Sequence, residues 1–160
     1  GGLFDTGSDA EVVLARNKSA ADVATPSGNS MAAMNLLRLG RITENDALTG
    51  EGERILRAFM GNVARQPAGY LYFLSALDYF TAPGVEITLA GRHDDPETIA
   101  MLRIVGRRYI PDLVLRYSGD GEEPKTVGGK STAWLCAAGA CRPPVTDALA
   151  LARVLDEVLQ

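Results

Sequence analysis

The sequence predicts a mixed α and β fold: three helices, then a small, mostly parallel three-stranded sheet with helices packed against it. Three observations carry this. Apolar residues recur at helical spacing through most of residues 25–81. Pro83-Gly84 then marks a change of period, and Val85-Glu86-Ile87-Thr88-Leu89 alternates as a β-branched strand should. Two further strand-like runs follow, at 113–117 and 132–136, with helical patterns between the first pair and after the last. The 160 residues suffice to bury a core without cross-links and divide near Pro83-Gly84 into 1–83 and 84–160.

Residues 1–24 are irregular and rich in turn formers, with 11–15 (EVVLA) as a short strand candidate. Thr25 is expected to cap the first helix, with Pro26 at its first position. Met31, Ala33, Met34 and Leu37 mark its apolar face and Gly40 its stop. The second helix is expected from Thr43, with Glu44 and Asp46 in a favourable first turn. Leu48, Gly52, Ile55, Phe59 and Val63 line one face of it, with Leu56 and Met60 beside them, and Gln66-Pro67 ends it. The third helix, about 68–81, is apolar nearly all round its axis, through Tyr70, Leu71, Tyr72, Phe73, Leu74, Ala76, Leu77, Tyr79 and Phe80. That is the pattern of a helix buried on every side, yet only two helices precede it to cover it.

In the second half, Asp94 or Asp95 caps a helix with Pro96 at its first position, running to about 108. The strand–helix–strand order predicts a parallel crossover. Residues 118–131 read as a Gly- and Glu-rich loop, 137–145 as a loop containing Pro143-Pro144, and Thr146 as the cap of a last helix.

Composition narrows the function classes. Lys plus Arg number 16 against 20 for Asp plus Glu, a net charge of −4, so no general field exists for phosphate backbones and nucleic acid is not an expected partner. No apolar run approaches the roughly 18 residues of a membrane span. The first residues lack the basic and apolar segments of a secretion signal, so a cytoplasmic setting is expected. The chain opens without methionine, on Gly1-Gly2 within a motif-like stretch, and reads as a piece of something longer.

Several motifs invite chemistry. Gly128-Gly129-Lys130-Ser131-Thr132 resembles the end of a phosphate loop, but Pro124 stands where a glycine is needed and a strand follows instead of a helix. Cys136 and Cys141 lie too far apart for the usual zinc or redox spacing. They are expected to be a buried strand thiol and a loop thiol, with a reversible disulfide as the alternative. His93, the sole histidine, follows a strand, where α/β proteins place ligand groups. No nucleophile elbow accompanies it, so surface decoration is the plainer reading. No metal site and no cofactor is expected. The densest polar group lies in residues 5–29, where Thr25, Ser27 and Asn29 gather at the positive end of a helix, an arrangement that suits hydroxyl-rich or anionic ligands.

Three stretches carry a family resemblance: Gly1-Gly2-Leu3-Phe4-Asp5-Thr6; Ala24-Thr25-Pro26-Ser27-Gly28-Asn29-Ser30 with 33–39; and Cys141-Arg142-Pro143-Pro144-Val145-Thr146-Asp147. In this order and spacing, with Leu74-Ser75-Ala76-Leu77-Asp78 between them, they resemble the C-terminal end of the YyaL-type family, which includes spermatogenesis-associated thioredoxin-like proteins. The resemblance implies that residues 1–83 are the last helices of an α/α toroid of the six-hairpin-glycosidase type, and that 84–160 are a C-terminal α/β extension. It accounts for the over-apolar third helix, since inner toroid helices are covered on both sides. The thioredoxin-like domain of that family is absent here, and Cys136 and Cys141 inherit no redox role from it.

The expected function is therefore that of a non-autonomous C-terminal segment, contributing part of a cavity for a polar or sugar-like ligand without a complete active site of its own. The ligand-binding candidates are Asp5, Thr6, Arg16, Asp22, Thr25, Ser27 and Asn29. Two alternatives stand beside it. One is a sugar isomerase, epimerase or glycosidase using the carboxylates of Asp5, Asp9 and Asp22, although no histidine lies in residues 1–82 to transfer protons as sugar epimerases do. The other is a docking module for a thioredoxin-like partner. Exposed apolar surface on an incomplete toroid predicts self-association or contact with the rest of a parent protein.

Overall fold

The computed structural model describes residues 1–11, 15–119 and 126–159; the strand candidate at 11–15 and the middle of the loop at 118–131 fall largely outside them. Two compact units are present, Gly1–Ala82 and Pro83–Gln160, each with its own apolar core.

In the first unit α1 spans Gly28–Thr43, starting later than the Thr25-Pro26 pattern suggests. Ser27 is its N-cap, because the Ser27 hydroxyl, not that of Thr25, reaches the Ser30 amide at 3.1 Å. Gly40 does not stop the helix. It is buried within it, and a Cβ there would lie 2.3 Å from Thr49 Oγ1, so glycine serves close approach to the next helix. Glu44, in the left-handed region at φ 53°, ends α1. Helix α2 spans Asp46–Arg65 and begins after Thr43, whose hydroxyl turns back to the Leu39 carbonyl. Asn45 is its cap, accepting from the Ala47 and Leu48 amides. Its buried face is Gly52, Ile55, Leu56, Phe59 and Val63, the face that the spacing predicts except that Leu48 is half-buried and Met60 exposed.

A 3-10 turn over Pro67–Gly69 then leads into α3, Leu71–Thr81. Phe73 is fully buried and packs edge-on against the rings of Phe59 and Tyr70, at centroid distances of 6.3 and 6.4 Å. Burial does not extend round the helix as expected. Phe73, Ala76 and Tyr79 are buried, Leu74, Leu77 and Phe80 are half-buried, and Leu71 is 66% exposed. Among the described residues of this unit, one side of α3 is fully covered and the other is not.

The second unit places β1 (Val85–Ala90), α4 (Pro96–Gly106), β2 (Leu113–Ser118), β3 (Thr132–Ala137), β4 (Ala140–Cys141) and α5 (Ala148–Val158) in chain order. The sheet order is β2-β1-β3-β4. The β1–β2 pair is parallel, but β3 runs antiparallel to β1, and β4 antiparallel to β3. The expected three-stranded, mostly parallel sheet is thus a four-stranded mixed one. The extra strand arises because Ala138 and Gly139 both take positive φ, 50° and 75°, and close a two-residue hairpin. Its strands join Cys136 to Cys141 in a disulfide across directly paired positions, correcting the expectation of two separate thiols.

Val85, Ile87 and Leu89 of β1, with Ala133 and Leu135 of β3, bury one sheet face against Met101 and Val105 of α4 and Leu151 and Leu155 of α5. Asp95 caps α4 through the Glu97 amide and also receives the Ser131 hydroxyl, which bonds Thr98 as well. Asp147, not Thr146, caps α5, accepting from the Ala150 amide at 2.7 Å. Glu97 Oε1 accepts from the Ala148 amide, so one acidic residue in the first turn of α4 also serves the start of α5. Among the described residues no helix is long and apolar enough to cross a membrane.

Two outcomes follow from this packing. Phe73→Ala lowers unfolding free energy by about 3–5 kcal/mol in denaturant titration. Leu71→Ala, two residues away on the bare side, stays within roughly 0.5 kcal/mol. The Ser131 hydroxyl, then the Glu97 amide, hold the Asp95 carboxyl below the ordinary aspartate range. A lowered value means stability present above about pH 4 and lost as pH falls through the folded value. An NMR titration reads a lower midpoint for Asp95 in the wild type than in Ser131→Ala; equal midpoints contradict the bond's role.

Candidate functional site

The polar residues singled out at 5–29 fall into two groups in the structure. The first surrounds Phe4. The Arg16 guanidinium lies 4.1 Å and the Lys18 ammonium 4.3 Å from the centre of its ring. Arg16 also donates to the Thr6 carbonyl at 2.8 Å, and Lys18 to the Gly1 carbonyl at 3.0 Å. Asp5 pairs with the opposite limb of the same loop: its amide donates to the Asn17 carbonyl and its carboxylate accepts from the Ser19 amide. Thr6 takes part through its backbone. Asp5 and Thr6 are exposed and Arg16 is half-buried, with its Nε enclosed and without a hydrogen-bond partner among the described residues.

The second group lies at the start of α1. Asn29 is 2% exposed and holds two strands of loop at once. Its Oδ1 accepts from the Leu3 amide, and its Nδ2 donates to the carbonyls of Leu3 and Ser19. Ser30, beneath it, bonds the Ala20 carbonyl and the Ser27 hydroxyl. Asp22 does the most. One carboxylate oxygen accepts from the Ser27 amide at 2.8 Å. The other accepts from the Tyr72 and Phe73 amides, at 2.9 and 3.1 Å, in the first turn of α3. Tyr70, the residue at the cap position of α3, supplies no side-chain bond, so Asp22 is the cap, about fifty residues away in sequence.

Beside Asp22 an open cleft of about 320 Å³ runs between the α1 entry and α3, lined by Asp22, Val23, Thr25, Pro26, Tyr72 and Ser75 among others. Asp22 and Thr25 line it. Asn29 and Ser27 do not, being turned to the loop and the helix cap, and neither Asp5, Thr6 nor Arg16 does. Tyr72 and Ser75 are contributors that the sequence reading missed, because their helix looked like uniform core. Their one signal was a hydroxyl at each of two positions three apart in an apolar run.

The carboxylates of Asp5, Asp9 and Asp22 do not share this cleft. Asp22 alone of the three lines this cleft. Among the described residues no group of three or more His, Cys, Asp or Glu is placed to hold a metal ion. His93 is exposed between Arg92, which is paired with Asp94, and the α4 cap. The phosphate-loop look-alike is a turn: Gly128 and Gly129 take positive φ inside the Val127–Lys130 bridge, and strand β3 follows.

No family model matches the chain, and no solved structure matches it significantly. Among curated proteins it is 29% identical over 153 residues to human spermatogenesis-associated protein 20, covering 88% of this chain and 19% of that protein. The rat and mouse proteins of the same name are 28% and 27% identical, each over 155 residues. The chain spans about a fifth of the length of these relatives, 19–20% of each. Over nearly all its length, this chain is similar to spermatogenesis-associated protein 20, and so to the YyaL-like family that its own motifs resemble.

Proposed function

We propose that this chain works as a non-autonomous C-terminal segment of a larger YyaL-like protein. In that protein residues 1–83 complete an α/α toroid and supply part of the wall of a cavity for a polar, carbohydrate-like ligand. The carrying observation is the cleft at the α1 entry. It offers the Thr25 and Tyr72 hydroxyls and the oxygen of Ser75, whose proton goes to the Leu71 carbonyl, while its carboxylate, Asp22, is engaged by three backbone N–H groups. Such a surface can hydrogen-bond a polyol but has no pair of free carboxyls to move protons. Glycoside hydrolysis uses two carboxyls about 5–9.5 Å apart across one bond, and Asp5 and Asp9 lie outside the cleft.

The rest of the surface of this unit favours a segment that meets more protein. Leu56, Met60, Leu77 and Phe80 floor an apolar groove of about 350 Å³ on α2 and α3, with Glu53 and Arg57 at its rim. Leu39, Ile42 and Leu71 are also exposed. The extent of the curated relatives is consistent with further chain to cover these faces.

The test is an NMR titration of the labelled chain with a panel of monosaccharides and polyols at millimolar concentration. The reading expects shifts confined to Thr25, Tyr72, Ser75 and their neighbours, and a several-fold weaker response in a Thr25→Ala, Ser75→Ala double variant. Turnover of any sugar by this chain alone, or no shift at the cleft, contradicts it.

A further inference from the structure

The Cys136–Cys141 disulfide has no part in the reading above. It joins directly paired positions of β3 and β4, with Cα atoms 3.9 Å apart, and closes the tip of a hairpin at the edge of the sheet. The neighbouring Arg142 amide bonds the Leu135 carbonyl, so Cys136 and Cys141 occupy the non-hydrogen-bonded site next to it, where side chains come closest. Cys141 is exposed and Cys136 half-buried, so a thiolate can approach from solvent.

Two features separate this bond from a structural staple. It encloses only the four residues 137–140, so it restrains the unfolded chain little. The fold does not lean on it either, because β3 is held by its six-residue ladder with β1 and by the Ala133–Val145 bridge beyond the hairpin. The closed turn, in contrast, does lean on it. Ala138 sits at φ 50°, a left-handed conformation that alanine adopts only at a cost. The disulfide holds a turn that Ala138 disfavours, although Gly139 takes its positive φ freely.

We propose that Cys136 and Cys141 form a reversible thiol–disulfide exchange site, reduced by a dithiol, and that the bond sets the closure of the β3–β4 hairpin. A thiolate of the reductant attacks the exposed Cys141 sulfur and displaces Cys136 as a thiolate, leaving a mixed disulfide. The second thiolate of the reductant then displaces Cys141. The two cysteines take up two protons, and the reductant departs as its own disulfide with the two electrons transferred. The hairpin tip is also a wall: Ala137 and Ala138 line a cleft of about 240 Å³ with Pro83, Ile110, Pro111 and Leu159. Reduction loosens that wall by releasing Ala138.

Trp134, the single tryptophan, lies two residues from Cys136 on the same strand and therefore on the same sheet face. Disulfides quench nearby indole emission, so Trp134 reports the bond. The experiment equilibrates the whole chain in glutathione buffers of graded ratio, traps free thiols with a maleimide, and records Trp134 emission in parallel. The expected result is a reversible transition within the glutathione range, with emission rising as thiols appear. Cys141→Ser should show the high emission throughout. Ala138→Gly, which relieves the turn, should shift the equilibrium towards the disulfide by about tenfold. A bond that stays oxidised across the whole range, or cysteines that never pair, overturns the exchange site. An Ala138→Gly variant that titrates like the wild type overturns the coupling to the hairpin.

Discussion

A helix whose first turn is partly buried needs partners for its leading N–H groups, and α3 has none of its own. The 3-10 turn at Pro67–Gly69 delivers the chain to Tyr70 without a capping side chain. The amides of Tyr72 and Phe73 would otherwise lie unsatisfied beside the most buried aromatic of the unit, at about 1–3 kcal/mol for each such group. Asp22 resolves this with one carboxylate oxygen and uses the other to fix the Ser27 amide at the start of α1. A negative group thereby meets the positive ends of two helices at once. The position of α3 against α1 and α2, the edge-on ring contacts of Phe73, and the cleft beside Asp22 all follow from that clamp.

The same economy runs through the N-terminal loop. Its polar residues look like a ligand constellation, but most are engaged in holding the loop. Asn29 bonds both Leu3 and Ser19, Ser30 anchors Ala20, and Arg16 and Lys18 cover Phe4. Irregular backbone packed on a helical core has no ladder to satisfy its own amides, so side chains must do it. What remains for a ligand is the narrower set of hydroxyls along the cleft. The loop is thus a frame for a binding surface, and Thr25 is the one early candidate that it leaves both exposed and in the cleft.

The sequence made the elements legible where a local signal sufficed. The buried face of α2 follows from apolar spacing, and the start of α4 from Asp95-Pro96. It misled where the deciding contact was distant or ambiguous. Several small polar residues could cap α1, and the structure selects Ser27, whose hydroxyl takes the Ser30 amide while its own amide is held by Asp22. Gly40 resembled a helix stop but answers to Thr49 on the next helix. The sheet looked mostly parallel because strand runs carry no mark of direction, and β4 was hidden because two residues after an Ala-Gly turn have no periodicity to detect. The hydroxyls of Tyr72 and Ser75 were concealed by the apolar run around them. Asp22 was visible as a candidate for binding, but nothing local showed that its partners lay about fifty residues on.

Amide hydrogen exchange at Tyr72 and Phe73 tests the clamp most directly. N–H groups in the first turn of a helix ordinarily exchange fast, because no carbonyl of the same helix protects them. The account predicts both amides, with that of Ser27, to be protected in the wild type and to lose protection selectively in Asp22→Ala while the middle of α2 keeps its own. Fast exchange of these amides in the wild type, or protection unchanged by Asp22→Ala, would contradict it.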